Sequence, residues 1–337
     1  MQAPLTGARL AWMTIALSLA TFMQVLDSTF ANVAIPTIAG NLGSSNSQGT
    51  WVITSFGVAN AISIPITGWL AKRIGEVRLF MWSTALFAIS SWLCGISNSL
   101  GMLIFFRVIQ GLVAGPLIPL SQSLLLNNYP PAKRTMALAL WSVTIVIAPI
   151  CGPILGGYIS DNYHWGWIFF INIPVGLVGL FLAWRNVPVF EQKKHSFDWL
   201  GVVLSAVGLF LLVFGIQEGA TYDWGTITDS FMGTGIVVSV WGLIIAGILV
   251  LGLFIGWQAI NPREPLVPLS LFSDRNFSVS NVAISAMGVV AISMAFPLTL
   301  YLQQVEGLDP TQAALMTAPM ALFSGALAPE VGARLNR

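Results

Sequence analysis

Charged side chains are scarce in this chain of 337 residues, in which Asp, Glu, Lys and Arg together make up only 8%. Soluble domains carry about 25% charged residues, because water must solvate most of their surface. In contrast, 56% of the residues are hydrophobic. The composition therefore excludes an ordinary soluble globular domain and indicates that most of the surface faces lipid.

The chain is also poor in the residues on which most enzyme and metal chemistry depends. Its two cysteines, Cys94 and Cys151, lie in hydrophobic runs, where a thiol is usually a small core side chain. His164 and His195 are isolated and have no metal-ligand spacing. The sequence contains no phosphate-binding loop and no arrangement of nucleophile and base. We therefore predict no enzyme activity, cofactor or metal, and the net charge of +1 does not indicate nucleic-acid binding.

The hydrophobic residues form ten runs, each long enough for a transmembrane helix of about 20 residues. These runs predict an all-α polytopic membrane protein. The first run follows a single base and lacks a small-residue cleavage site, so we interpret it as an uncleaved helix. The predicted helices are 11–39, 50–71, 78–97, 101–126, 135–159, 166–185, 198–217, 233–257, 277–304 and 311–333.

The basic residues are distributed in a regular way between these runs. Every Lys and Arg except Arg107 precedes the first run or lies around every second gap, and the alternate gaps contain no base. Because basic loops are retained on the cytoplasmic side of a bilayer, this pattern predicts a multi-pass protein with a cytoplasmic N-terminus.

Two charged residues lie inside the runs. Asp27 is about 17 residues into the first run and Arg107 about seven into the fourth, which enters from the opposite side, so a rise of 1.5 Å per residue places them at similar depth. A lone charge near mid-membrane costs about 2.5–3.5 kcal/mol on insertion scales. Our hypothesis is that both face a central cavity, where Asp27 binds a proton and Arg107 tunes its proton affinity. The alternative is a static ion pair that joins two helices.

The fifth run combines small residues with prolines. Ala148, Gly152 and Gly156 are four residues apart and lie on one helical face, which another helix can approach closely. Each proline removes a backbone hydrogen bond and promotes a bend. We predict a moving interface, with ordinary close packing as the alternative. The residues of this group are Ala148, Pro149, Gly152, Pro153, Gly156 and Gly157.

Two further groups are candidates for function. Around the gap after the second run, glycines permit a tight turn and the charged residues can pair to hold the cytoplasmic ends closed, although basic anchoring alone is the alternative. This gating group is Gly68, Lys72, Arg73, Gly75 and Arg78. Polar, aromatic and Met side chains in the runs are candidates for lining a substrate cavity, with simple packing as the alternative. They are Met23, Gln24, Phe56, Asn60 and Gln122.

Four segments resemble motifs of the major facilitator superfamily. The segment Gly68–Arg78 is similar to its loop motif between helices two and three, except that Lys72 stands where that motif usually has Asp. Arg107–Gly111 resembles the helix-four motif, and Ala148–Gly157 the helix-five motif of the antiporters. Leu26–Pro36 resembles the first-helix motif of the fourteen-helix drug:proton antiporters.

The resemblance implies a domain organisation. It predicts a six-helix N-domain at 1–186, two extra transmembrane helices at 187–262, and the first two helices of a C-domain at 263–337. The expectation is therefore a major facilitator fold that is truncated to about ten transmembrane helices.

The resemblance also implies a function, namely proton-coupled antiport that exports hydrophobic drugs across the cell inner membrane by alternating access. Asp27 and Arg107 would then serve proton coupling. The implied partners are hydrophobic drug-like substrates, protons and the lipid bilayer, and in Gram-negative relatives a periplasmic adaptor and an outer-membrane channel. Two alternatives stay open: a truncated membrane fragment that only packs or dimerises without transport, and a facilitator without proton coupling. The helix-five motif and Asp27 argue against the facilitator.

Overall fold

The computed structural model describes residues 7–188, 198–228, 237–261 and 265–308, together with single positions between 312 and 327. The structure is almost entirely helical, as the hydrophobic runs predict. The α-helices of the described residues are α1 (Ala8–Asn41), α2 (Asn46–Gly49), α3 (Trp51–Ile74), α4 (Glu76–Gly95), α5 (Leu100–Ala114), α6 (Leu117–Asn128), α7 (Arg134–Asn162), α8 (Trp167–Phe170), α9 (Asn172–Asn186), α10 (Trp199–Glu218), α11 (Val240–Ile260) and α12 (Arg275–Leu300). A short antiparallel hairpin of β1 (Thr226–Thr228) and β2 (Val238–Ser239) precedes α11.

Eight segments of the described residues are long and apolar enough to cross a membrane. They correspond to the first eight predicted helices and confirm an all-α polytopic membrane protein. The predicted ninth helix is matched by α12, whereas the predicted tenth, 311–333, lies outside the described residues except at single positions. The eight segments are α1, α3, α4, α5 with α6, the segment Pro131–Ser160 that begins just before α7 and includes most of it, α8 with α9, α10 and α11.

Three predicted helices differ from the structure in their details. The fourth span is divided between Ala114 and Leu117, where Pro116 cannot donate a backbone hydrogen bond. The sixth is divided at Ile171, because Pro174 has no N–H for the carbonyl of residue 170. The predicted eighth helix, 233–257, is wrong at its start, since 238–239 pair with β1 and the helix begins only at Val240.

The connection between α3 and α4 is a single residue, Gly75, rather than the longer gap predicted after residue 71. Gly75 has φ 96°, and its N–H donates to the carbonyl of Ala71 at 2.9 Å. Glycine adopts this backbone conformation without the steric penalty of a Cβ atom. The sharp turn therefore places Lys72 and Arg73 in the last turn of α3.

The long helix α1 lies at the centre of the fold and packs against α7, α9 and α6. Two clusters of buried apolar side chains lie along it. One includes Met13, Leu17 and Met23, and the other includes Phe30 and Ile38. Asp27 lies on α1 between Met23 of the first cluster and Phe30 of the second, directly after Leu26 of the second, so a buried polar residue lies next to the apolar core.

The helices α10 and α11 pack chiefly against each other, and α10 also packs against α3. Gly208 and Gly247 lie at their contact, where a Cβ atom would press on the opposite helix. Asp198 caps α10 and accepts hydrogen bonds from Trp257 and Gln258 of α11, both at 2.8 Å. Burial alone would raise the pKa of the Asp198 carboxyl. These two hydrogen bonds and one from the Gly201 N–H outweigh burial and hold the pKa below its usual value. The division into domains at 186 and 262 stays a prediction.

We predict that Gly75→Ala destabilises the protein by roughly 1–3 kcal/mol, because an alanine at φ 96° is strained. Gly68→Ala is the matched control, since Gly68 lies inside α3 and a Cβ atom there meets nothing within 4 Å. That control should be neutral or slightly stabilising. Thermal unfolding in detergent compares the two, and equal unfolding temperatures would contradict the assignment of Gly75 as the strained turn.

Candidate functional site

Asp27 of α1 and Arg107 of α5 form a buried ion pair, with Arg107 Nη1 at 2.5 Å from Asp27 Oδ2 and both side chains fully inaccessible. The structure thus brings together the two charges whose depths were predicted to match. In this conformation the pair is enclosed by helices and does not face an open cavity. Charges inside a membrane domain are compatible with the fold when they pair in this way.

The Arg107 side chain is held by contacts beyond Asp27. Its Nε donates to the carbonyl of Val52 at 2.9 Å, and its Nη1 also donates to Gln110 Oε1 at 2.8 Å. The guanidinium lies over the ring of Phe56 at 4.2 Å and near that of Phe169 at 5.5 Å. A planar guanidinium can stack and donate at the same time, which fixes its orientation.

The second oxygen of Asp27 accepts two further hydrogen bonds. Gln110 Nε2 donates to Oδ1 at 3.1 Å, and Asn172 Nδ2 of α9 donates to it at 2.8 Å. Asn172 Nδ2 also donates to Ser91 Oγ of α4 at 2.9 Å. Three donors therefore satisfy the ionised carboxylate, which a buried ion pair requires.

Two residues of this site, Gln110 and Asn172, were not identified as site residues from the sequence. Gln110 lies in the segment that resembles the helix-four motif, and Asn172 is an amide within an apolar run. Such a polar residue is a signal for the site, because polar groups inside a membrane need partners. Two buried polar atoms, Arg107 Nη2 and Asn172 Oδ1, have no hydrogen-bond partner among the described residues.

The small-residue group of α7 packs against α1. A Cβ atom at Gly152 would overlap Thr29, and one at Gly156 would lie 3.0 Å from the Phe30 ring. Ala148 and Gly157 are also buried. The predicted close approach is therefore made to α1, and α7 stays helical through Pro149 and Pro153. The predicted motion at this interface stays a prediction.

The gating group lies at the turn between α3 and α4. Lys72, Arg73 and Arg78 are exposed, and Arg73 lies over the ring of Trp69 at 5.1 Å. The nearby carboxylate of Glu76 accepts hydrogen bonds from Ser123 at 2.9 Å and Asn127 at 3.2 Å. Glu76 therefore ties α4 to α6, and a gating role of the three bases stays a prediction.

Three of the five cavity candidates are buried and two are partly exposed. Met23 and Phe56 are buried by packing, and Phe56 covers the Arg107 guanidinium. Gln24 is buried one turn before Asp27, while Asn60 and Gln122 are partly exposed. In this conformation the five do not share one open cavity, and their role in substrate binding stays a prediction.

Residues 17–337 match the family model of the Major Facilitator Superfamily. The chain belongs to this superfamily. It is 56% identical to the multidrug export protein EmrB of Escherichia coli K12 over 98% of its length, and 49% identical to the fatty acid resistance protein FarB of Neisseria gonorrhoeae over 98%. The chain spans 63% of the length of each of these relatives. The family and the export protein indicate a transporter family rather than a family of enzymes.

The fold of a solved member of the superfamily agrees with this assignment. The proton:xylose symporter XylE, bound to 6-bromo-6-deoxy-D-glucose, matches with a TM-score of 0.62 at 13% identity. The match covers 95% of this chain and 68% of the symporter. At this identity the likeness establishes the fold and nothing about the transported compound.

We predict that Gly152→Ala lowers stability, because the added methyl group overlaps Thr29 and α7 must move away from α1. Overpacking of a close helix contact typically costs 1–3 kcal/mol. The matched control is Gly256→Ala in α11, where a Cβ atom meets nothing within 4 Å. Unfolding temperatures in detergent should fall for the first variant and not for the second. An unchanged temperature for Gly152→Ala would mean that the two helices are not in this close contact.

We also predict that Arg107→Lys destabilises the protein although it preserves the charge. An ammonium group cannot reproduce both the Nε bond to Val52 and the Nη1 bonds to Asp27 and Gln110, so about 1–3 kcal/mol should be lost. Arg185→Lys, at an exposed position near the end of α9, is the control. Chemical denaturation followed by tryptophan fluorescence measures both. Equal stability of the two variants would show that charge alone is sufficient.

Proposed function

We propose that the chain acts in proton-coupled export of hydrophobic drugs across the cell inner membrane, by alternating access and with its N-terminus in the cytoplasm. The observation that carries this proposal is the buried site of Asp27 and Arg107, whose charges meet between α1 and α5. An intramembrane carboxylate with a fixed counter-charge is a group whose proton occupancy depends on helix positions.

The geometry suggests how helix movement would change that occupancy. Asp27 is on α1, whereas its three donors are on α5 and α9. A shift of α1 along its small-residue contact with α7 would lengthen these hydrogen bonds together. A carboxylate that loses its donors binds a proton more readily, and it releases that proton when the donors return.

The relatives support the class of substrate. Their names refer to multidrug export and to fatty acid resistance, which are both consistent with apolar compounds. We propose hydrophobic drug-like molecules and protons as the transported species. A periplasmic adaptor and an outer-membrane channel, which the family resemblance implies, are proposed as partners on the same ground.

A second candidate is a membrane protein that packs or dimerises without transport. The observation that favours it is the surface of α12, where every residue from Val279 to Val290 is exposed. This stretch includes Asn281, which hydrogen bonds to Phe277 of its own helix. Small and polar residues on a membrane helix often mediate contact with another helix.

We expect an imposed pH gradient to drive dye accumulation in inverted membrane vesicles that contain this chain, and Asp27→Asn to abolish it. The substitution removes the proton-binding carboxylate with little change in size. The loss should be at least about tenfold, since the residue would carry the coupling itself. Dye fluorescence measures the accumulation.

The matched control is Asp223→Asn, the same chemical change at an exposed position with φ 47°, which asparagine also tolerates. It should leave the accumulation unchanged. If Asp27→Asn accumulates dye as well as the unmodified chain does, the coupling role is wrong. If the correctly inserted unmodified chain accumulates no dye, the second candidate is favoured.

A further inference from the structure

Asn172 donates a hydrogen bond to Asp27 from α9, and its side-chain amide is fully buried. The Nδ2 atom has two partners, Asp27 Oδ1 at 2.8 Å and Ser91 Oγ at 2.9 Å. The Oδ1 atom is buried and has no hydrogen-bond partner among the described residues. A buried acceptor without a partner is unfavourable, so it calls for an explanation.

We propose that Asn172 is a positioning residue that stabilises Asp27 in both of its protonation states. With Asp27 ionised, the amide N–H donates to the carboxylate, as observed. When a proton binds to Asp27 Oδ1, the amide turns by 180° about its terminal torsion and Asn172 Oδ1 accepts the new O–H. The inference rests on the proposed proton coupling and adds a residue of α9 to it.

The chemistry of this step requires no other reactant. The proton forms a bond to Asp27 Oδ1 and leaves whichever water delivers it, and no other covalent bond changes. The amide exchanges its donor for its acceptor, which a side-chain amide can do because it carries both groups. The atom that accepts the new O–H is Asn172 Oδ1, which has no hydrogen-bond partner among the described residues while Asp27 is ionised.

The other donors to Asp27 are less suited to this exchange. Arg107 has no acceptor atom. Gln110 Oε1 is already engaged, because it accepts from Arg107 Nη1 at 2.8 Å and from Cys94 Sγ at 3.5 Å. Turning the Gln110 amide would break both bonds and direct an N–H group towards the guanidinium.

Ser91 supports the turned state. Its hydroxyl donates to the carbonyl of Phe169 at 2.9 Å and accepts from Asn172. Because a hydroxyl both donates and accepts, it can rotate to donate to Asn172 Oδ1 after the amide turns. Ser91 is fully buried on α4, so its position is fixed by packing.

Few other groups compete for the proton. Among the described residues, the charged or titratable side chains at Asp27 are Arg107 on α5 and the Cys94 thiol on α4. Where α7 packs on α1 near Asp27, it presents Gly152 and Gly156. The side chains that hydrogen bond to Asp27 are therefore Arg107 and the two amides, Gln110 and Asn172.

The test is an infrared titration of the complete chain in lipid vesicles, with the neutral-acid carbonyl band assigned by its absence in Asp27→Asn. Asn172→Leu removes both the donor and the acceptor at similar size. A charge-assisted hydrogen bond is about twice as strong as a neutral one, so the variant destabilises ionised Asp27 more than protonated Asp27. The midpoint pH of the Asp27 titration should therefore rise by about one unit. The carbonyl band of the neutral acid should move to higher frequency, since its O–H has lost its acceptor.

The controls use the same helix and the same side chain. Asn186→Leu makes the same change on α9, at a buried amide that hydrogen bonds to the Leu182 carbonyl. It should shift neither the midpoint nor the band. Asn172→Gln keeps the amide and should restore the band position at least in part. A variant that only lowers thermal stability, with midpoint and band unchanged, would overturn the proposal.

A measurement on the unmodified chain covers the case in which Asn172→Leu does not fold. Isotope-labelled asparagine side chains should give an amide band that changes as Asp27 is protonated and that is lost in Asn172→Gln. An unchanged amide band, or a midpoint shift without movement of the carbonyl band, would overturn the exchange. The titration requires no transport. If the expected changes of the carbonyl and amide bands are seen but the chain accumulates no dye, the proposed export is wrong and the role of Asn172 still holds.

Discussion

The burial of the Asp27 carboxylate is the constraint on which the arrangement of the helices depends. An ionised group inside a membrane domain is tolerated when a counter-charge and hydrogen bonds replace its water. Arg107 supplies the charge from α5, Asn172 supplies a donor from α9, and Val52 of α3 holds the other side of the guanidinium. These contacts join α1, α3, α5 and α9 through one polar site. Removing one partner of such a buried pair typically costs 3–5 kcal/mol.

Small residues allow the helices to come close enough for these contacts. A Cβ atom at Gly111 of α5 would overlap the carbonyl of Phe56, and one at Gly115 would press on Ser63. The close approach of α3 and α5 places the Phe56 ring over the guanidinium and the Val52 carbonyl within reach of Nε. In the absence of a strong hydrophobic driving force between helices in lipid, such packing decides which helices meet.

Hydropathy predicts how deep a residue lies but not which helix lies beside it. Hydropathy therefore predicted similar depths for Asp27 and Arg107 and left open whether they pair, and the first eight hydrophobic runs predicted the eight segments able to cross a membrane. Asn172 was not predicted as a site residue, because its role depends on the packing of α9 against α1 and α4, and no periodicity in the sequence reveals that packing. The break at Ile171 and the strand before α11 were missed for a related reason, since both depend on local backbone hydrogen bonds.

The composition of the site explains why it is suited to change. Asp27 and Arg107 together carry no net charge, and their mutual attraction and hydrogen bonds offset the cost of removing both ions from water. Protonation of Asp27 would leave Arg107 as an uncompensated cation unless other groups share its charge. The guanidinium already faces four such groups, namely Gln110 Oε1, the Val52 carbonyl and the rings of Phe56 and Phe169. They stabilise its positive charge when Asp27 is neutral. The site therefore contains donors for the charged form of Asp27 and neutral groups around Arg107, which is what the proposed reversible proton binding would require.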